Sequence, residues 1–413
     1  MSREPNTLDE IDYWDLDLFV DGDPHAAWKL QREQAPVMWH DRPGGEPFWS
    51  VTTYDLIKSV YADPHVYSSQ ANGIMLRDAD LLAAPPNEFM ERNPPMIHTD
   101  PPRHAPLRKV LSHNFTPQAI ARLEDQLRGF AAECMEEAAD KGEVDFVTDI
   151  AHRIPAAITF ALMDIPRDRW ARLAQIQHLQ VTRTETEFWE HEEKSLDEVS
   201  MEMYGYFFEV CSHRMEHPGD DLLSQVVQGV VEGEQLGVVQ GVAEAGLLLA
   251  GGLDTTRAAA SAGAMVPLLE HPDQLAALQA DPSLLPGAIE EFVRWASPIT
   301  HEARTVMSDT ELGGHQLSAG DRVAVWSPSA NRDTAYFDDP FTYDIRRSPN
   351  RHLGFAWGEH YCLGVHLAKL TLRVEFEELF RRFSAFELTA EPKRVRSNFV
   401  GGLVHLPMRL TPR

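Results

Sequence analysis

One cysteine stands in the run Phe355-Ala356-Trp357-Gly358-Glu359-His360-Tyr361-Cys362-Leu363-Gly364, bracketed by glycines and followed at once by a helix-forming stretch, Val365 to Phe383. A thiolate at the start of a helix meets the positive end of the macrodipole and inward-pointing backbone N–H groups. Such donors keep a sulfur ionised and temper its basicity, as an iron-ligating thiolate needs. A second unusual run is Leu247-Leu248-Leu249-Ala250-Gly251-Gly252-Leu253-Asp254-Thr255-Thr256. Two adjacent glycines cost about 1 kcal/mol each relative to alanine in a helix interior. A threonine hydroxyl bonded back to the preceding turn loosens the helix further. Small side chains at Ala250, Gly251 and Gly252 would let a flat ligand approach closely, and an opened turn beside Thr255 could hold a water or dioxygen. Glu291 and Arg294 form a third constellation, an acid and a base at i and i+3 on one predicted helix face, where they can pair.

The elements that must position these residues can be read coarsely. Pro36 to His40, a turn at Pro43-Gly44-Gly45 and Pro47 to Val51 predict a β-hairpin. From about Pro101 to Met265 the pattern is mostly helical, with Asp100-Pro101-Pro102 and Thr116-Pro117 expected as helix starts. Between them Gln70 to Pro95 is irregular, and long loops in compact enzymes are often binding elements. A helix follows Pro286, then strands around Thr300 to Val306 and Asp321 to Trp326, then an irregular segment from Asn331 to Asn350 that leads to the cysteine.

With 413 residues and 43% hydrophobic content there is material for a large core. Three cysteines without a Cys-x-x-Cys pair argue against a disulfide framework and for a reducing compartment, with Cys134 and Cys211 expected as packed thiols. A net charge of -27 argues against nucleic acid as a partner. The acidic run Thr184 to Glu198 reads as a solvated helix face. No basic-then-apolar leader and no bilayer-length apolar run is apparent, so a cytoplasmic protein without a membrane anchor is expected. No Gly-x-Ser-x-Gly or His-Glu-x-x-His pattern supports a hydrolase.

The spacing Phe-x-x-Gly-x-His-x-Cys-x-Gly around Cys362 resembles the haem-ligand loop of the cytochrome P-450 superfamily, and Gly251-Gly252-Leu253-Asp254-Thr255 resembles its oxygen-activating helix. The resemblance runs from about Pro36 to Leu406. It implies one mainly α domain over residues 1–413, an α-helical prism around haem b. The β-containing portions would lie near 36–70, 296–330 and 385–413, and the helical body at 101–295 and 362–384. It implies Cys362 as the axial iron ligand in a loop begun by Phe355, Gly251 against the macrocycle, Asp254 feeding protons inward, and Thr255 ordering hydrogen bonds to bound oxygen. Haem carboxylates would be met by His104, Arg108, Arg304, His352 and His360, and Glu291 with Arg294 would anchor the cysteine-bearing segment. The family usually has glycine where this chain has Ala356, at a tight turn where alanine resists positive φ.

By family position, substrate would meet Ile74, Met75, Leu76, Phe89, Leu179, Leu248, Ile299 and Phe399, a mostly apolar set. The activity implied is hydroxylation of a hydrophobic small molecule with O2, with terpenoids, sterols or branched lipids preferred. Two electrons would come from a ferredoxin or flavodoxin and its NAD(P)H reductase. A basic cluster of Arg103, Arg108, Lys109, Lys369 and Arg373 would suit an acidic ferredoxin. The competing readings are a peroxygenase, an oxidative coupling enzyme, and a non-catalytic haem-binding sensor.

Overall fold

The computed structural model describes residues 5–83, 91–182, 189 and 192–413. Phe89 and part of the acidic run (184–188, 190 and 191) lie outside the described residues. The predicted hairpin forms from β1 (Val37–His40) and β2 (Phe48–Val51), antiparallel with Trp39 opposite Trp49. With β3 (Tyr67–Ser68), β4 (His301–Val306) and β5 (Arg322–Trp326) they build a five-stranded sheet in the order β1-β2-β5-β4-β3. All pairs in it are antiparallel except β2 with β5. A second sheet joins Phe383–Leu388, Pro407–Pro412 and Glu143–Asp145. That last strand falls inside the stretch expected to be helical. Gly142, at φ 71, ends the preceding helix and turns the chain onto the sheet.

The helical body comprises α1 (His104–Ser112), α2 (Glu124–Lys141), α3 (Arg153–Leu162), α4 (Arg167–Val181), α5 (Leu196–Glu216), α6 (Gly237–Ala260), α7 (Leu285–Ala296) and α8 (Val365–Arg382). In α7, Leu285, Ala288, Ile289, Phe292 and Val293 recur at helical spacing and bury one stripe, and Pro286 occupies the first turn. That helix stops at Ser297, in the left-handed region with φ 43, just before Pro298. Asp100 caps no helix, contrary to expectation. Its carboxylate accepts from the Ser69 N–H (2.9 Å) and the Ser68 hydroxyl, and α1 begins at His104. Thr116 does cap the short helix after it, through the Ala119 N–H. Among the described residues no helix is long and apolar enough to cross a membrane.

The long helix α6 packs against α3, α5, α7 and α8, and the main core fills the space between them with Phe207, Leu249, Leu253, Phe292 and Phe376. Cys134 and Cys211 are buried in that core, and burial pushes both thiols up to about 12, so they stay neutral. Glu375 on α8 is buried in the same layer with neither carboxyl oxygen hydrogen-bonded among the described residues, and burial pushes its acid up to about 8. In the unfolded chain this acid ionises near its usual value, so between that pH and about 8 the folded state holds the extra proton. Stability therefore falls as pH rises through this window, by up to about 1.4 kcal/mol per unit. Glu375→Gln removes the term. Its urea-unfolding midpoint is expected to gain on the wild type progressively from pH 5 to pH 8, and a pH-independent gap between the two would refute the assignment.

Candidate active site

A cavity of about 880 Å³ opens between α6, the cysteine loop and the β4 end of the sheet. Cys362 lies on its wall, half-buried. The loop is shaped by the short helix Gly358–His360 and by the Cys362 N–H bonded to the Phe355 carbonyl (3.0 Å). Gly358, at φ 72, passes so close to the Tyr61 carbonyl that a Cβ there would sit 2.4 Å from it. Ala356 adopts φ 58, so alanine occupies the left-handed turn where the sequence pattern favours glycine. Burial pushes the Cys362 thiol above its usual value, outweighing the Gly364 N–H and the Arg108 charge. The Gly364 N–H is the helix-start donor the sequence suggested, and a bound metal ion would favour the thiolate further.

Across the cavity runs α6. Thr255 donates its hydroxyl to the Gly251 carbonyl at 2.7 Å, the back-bond the sequence suggested. The two glycines divide their duties. Gly251 faces open space, while a Cβ on Gly252 would meet Thr159 Oγ1 of α3 at 2.6 Å. Gly251 thus leaves the cavity face bare, and Gly252 lets two helices touch. Asp254 is almost fully buried, accepts from Gln177 Nε2 of α4 (3.2 Å) and pairs with Arg257 at 3.1 Å. Burial raises its pKa, more than Arg257 and Gln177 lower it.

The five candidate carboxylate partners differ in their engagements. His360 is buried on the cavity wall with neither ring nitrogen hydrogen-bonded among the described residues, and burial together with Arg304 and its neighbours holds it neutral, down to about 2. Arg108 also lines the cavity, with one nitrogen on the Tyr361 carbonyl (2.6 Å). His104 has its ring nitrogens beside the Glu359 and Met96 carbonyls, each at 3.1 Å, and a neutral ring can donate to one of them. His352 contacts Glu290 at 3.1 Å, and Arg304 pairs with Glu302 at 2.8 Å. Neither of these two is among the cavity-lining residues. Orphaned, buried nitrogens on His360 beside a cationic Arg108 fit the carboxylates of a haem, and a cysteine on the wall fits its iron.

Glu291 and Arg294 are fully buried, joined by two 2.7 Å bonds, and Arg294 reaches on to the Asn331 (2.9 Å) and Pro340 (2.8 Å) carbonyls. Ile74, Met75, Leu248, Ile299 and Phe399 all line the cavity. Sequence reasoning missed Glu302, Gln177, His98 and Glu244, which line it too. Glu302 sits in a strand buried along its whole length, which only the structure reveals. The basic cluster is weaker than the sequence suggested. Arg103 pairs with Glu232, Lys369 with Glu290, and Arg373 with Glu124 and Glu377.

Residues 165–410 match the family described as Cytochrome P450. A putative cytochrome P450 126 of Mycobacterium tuberculosis is 37% identical over 98% of both chains. The chain belongs to the cytochrome P450 family. A steroid C26-monooxygenase of Mycobacterium bovis is 31% identical over 99% of this chain and 94% of that one. The solved structure of Mycobacterium marinum cytochrome P450 CYP268A2 in complex with pseudoionone superposes with a TM-score of 0.85, at 33% identity, over 93% of this chain and 94% of that one. This P450 is thus a haem b monooxygenase, an oxidoreductase.

Ala356→Gly should relieve up to about 1 kcal/mol of left-handed strain, less what glycine loses on folding. The expected outcome is a higher thermal midpoint of the haem-loaded protein with its Soret band unmoved. A lowered midpoint would mean that the alanine methyl contributes more packing than strain.

Proposed function

We propose that this P450 hydroxylates a C–H bond of a hydrophobic small molecule, a terpenoid, sterol or branched lipid, using O2 and two electrons from a ferredoxin or flavodoxin with its NAD(P)H reductase. The observation that carries the reading is the meeting of Cys362, the Asp254–Thr255 pair and an apolar wall of Ile74, Met75, Leu248, Ile299 and Phe399 around one cavity. A relative named for a steroid and a solved structure holding pseudoionone support the choice of substrate class. We read the 413 residues as one catalytic unit working in the cytoplasm.

In this reading Cys362 is the axial ligand, and the bound haem supplies a thiolate-ligated iron at which dioxygen is reductively activated. His360 and Arg108 receive its carboxylates. Arg304, paired with Glu302 behind the cavity wall, adds its positive charge to theirs. His104 and His352 act as props, holding the loop from which His360 projects and the turn before it. Phe355 closes the cavity beside Cys362, and Gly251 leaves room for the macrocycle. The Glu291–Arg294 pair fixes the segment that delivers the cysteine loop.

Asp254 is suited to carry protons because burial raises its pKa while Gln177 and Arg257 keep it in place. Thr255 gives its own proton to the Gly251 carbonyl, so towards the cavity its oxygen can only accept. It therefore orients a donor, such as water, with that donor's other proton directed inward.

Optical titration of the ferric protein with terpenoids, sterols, fatty acids and small aromatics tests the substrate class. A high-spin Soret shift with the first two supports it, and a shift confined to the aromatics replaces it. Absence of any Soret band after haem is supplied would sink the catalytic reading. Thr255→Ala should oxidise reduced nicotinamide at a near-normal rate while releasing hydrogen peroxide in place of product. Product and peroxide yields per nicotinamide check this, and unchanged coupling would remove Thr255 from the proton path.

A further inference from the structure

Glu244 lies on α6, two turns before Gly251, with no solvent exposure, yet it lines the cavity. Its carboxyl group is held from one side only. Oε1 accepts from the Met96 N–H (2.8 Å) and from Gln240 Nε2 (2.9 Å), and that amide is itself fixed on the Pro94 carbonyl (2.9 Å). Oε2 has no hydrogen-bond partner among the described residues. A buried acceptor left open in this way is costly unless a ligand completes it. The neighbouring wall is apolar, formed by Met96, Ile97, Ala243 and Leu247.

We propose that Glu244 is the polar anchor of the substrate site, its Oε2 accepting a hydrogen bond from a hydroxyl at one end of an elongated apolar molecule. The inference rests on the reading above of the cavity as a substrate site and narrows its substrate class. Burial pushes the Glu244 acid up to about 7, against the Gln240 and Met96 donors and the Arg103 charge, and in either protonation state an oxygen remains to accept. Arg103 is felt at this site, so a neutral hydroxyl suits it better than an ammonium group, which would bring a second positive charge. Eleven residues of one helix separate Glu244 from Thr255, about 16 Å along the axis. A molecule anchored at Glu244 presents its opposite, apolar end to Gly251 and Thr255, so oxidation falls far from the original hydroxyl and the product is a diol.

The test uses the haem-loaded protein and a matched pair of probes, 1-dodecanol and dodecane, titrated by the Soret shift into wild type, Glu244→Gln and Glu244→Leu. The reduced carbonyl spectrum of each verifies an intact thiolate-ligated haem. Wild type is expected to bind the alcohol at least about tenfold more tightly than the alkane. The preference should persist in reduced form in Glu244→Gln, whose amide oxygen stays with the Met96 and Gln240 donors while its NH2 can donate to the alcohol oxygen, and fall to near unity in Glu244→Leu. An alcohol preference unchanged in Glu244→Leu, or absent from wild type, overturns the anchor while leaving the monooxygenase reading intact. A wild-type protein that loads haem without a thiolate-type Soret band would instead remove the reading on which the anchor rests.

Discussion

Arg294 is a full positive charge with no solvent contact, and much of this P450 is arranged around it. An isolated buried charge is prohibitively unfavourable, so its donors must all find acceptors. Glu291 takes two, and carbonyls of Asn331, Pro340 and Thr342 take others. Those carbonyls belong to a segment with almost no regular hydrogen bonding of its own. Glu291 also accepts the Asp344 N–H and the Asn350 amide, and Arg347 contacts it. Burial alone would raise Glu291, yet these donors hold it below its usual value, so the pair stays charged and the network stays closed. The irregular chain from Asn331 to Asn350 is thus specified by charge satisfaction where other segments are specified by ladders. Asn331 passes the constraint on, its amide bonding Ser297 and the Leu353 N–H at the head of the cysteine loop.

What was legible in the sequence followed from distance along the chain. The cysteine loop, the double glycine with its back-bonded threonine, the β1–β2 hairpin and the Glu291–Arg294 pair are local patterns, with every member within a few residues of the next. Their geometry comes from backbone sterics and helical spacing, which a sequence displays directly. The illegible part depends on partners brought from afar. Gln177 reaches Asp254 across 77 positions and Met96 reaches Glu244 across 148. The same distance undid the basic cluster. Lys369 and Arg373 stand together on α8, but Glu290 and Glu124 arrive from other helices and pair with them. The strand at Glu143–Asp145 was hidden because its partner, Pro407–Pro412, comes near the end of the chain.

His104 and His360 belong to one sequence pattern, yet the fold engages their rings differently. The two share a neighbourhood, the ring centroids 4.1 Å apart. Backbone carbonyls lie beside both nitrogens of the first, and no group among the described residues bonds those of the second. A histidine with a backbone partner is fixed by the fold, while a buried one without a protein partner leaves polar atoms to be satisfied by something else. Spacing alone could not separate them, because both satisfy the same pattern.

The buried acids of this cavity and its surroundings carry the same functional group, yet their environments assign them opposite behaviour. Glu291 is kept ionised by donors on both oxygens. Asp254 is held by one amide and one guanidinium, too few to overcome burial, and so its proton affinity rises. Glu244 has donors on one oxygen alone, and Glu375 has none, with acids pushed up to about 7 and about 8 respectively. Proton affinity climbs as donors are withdrawn. Where donors are complete the acid is structural. Where they are withheld beside a cavity, the acid keeps a raised proton affinity, and Asp254 and Glu244 are the two such acids that α6 presents there.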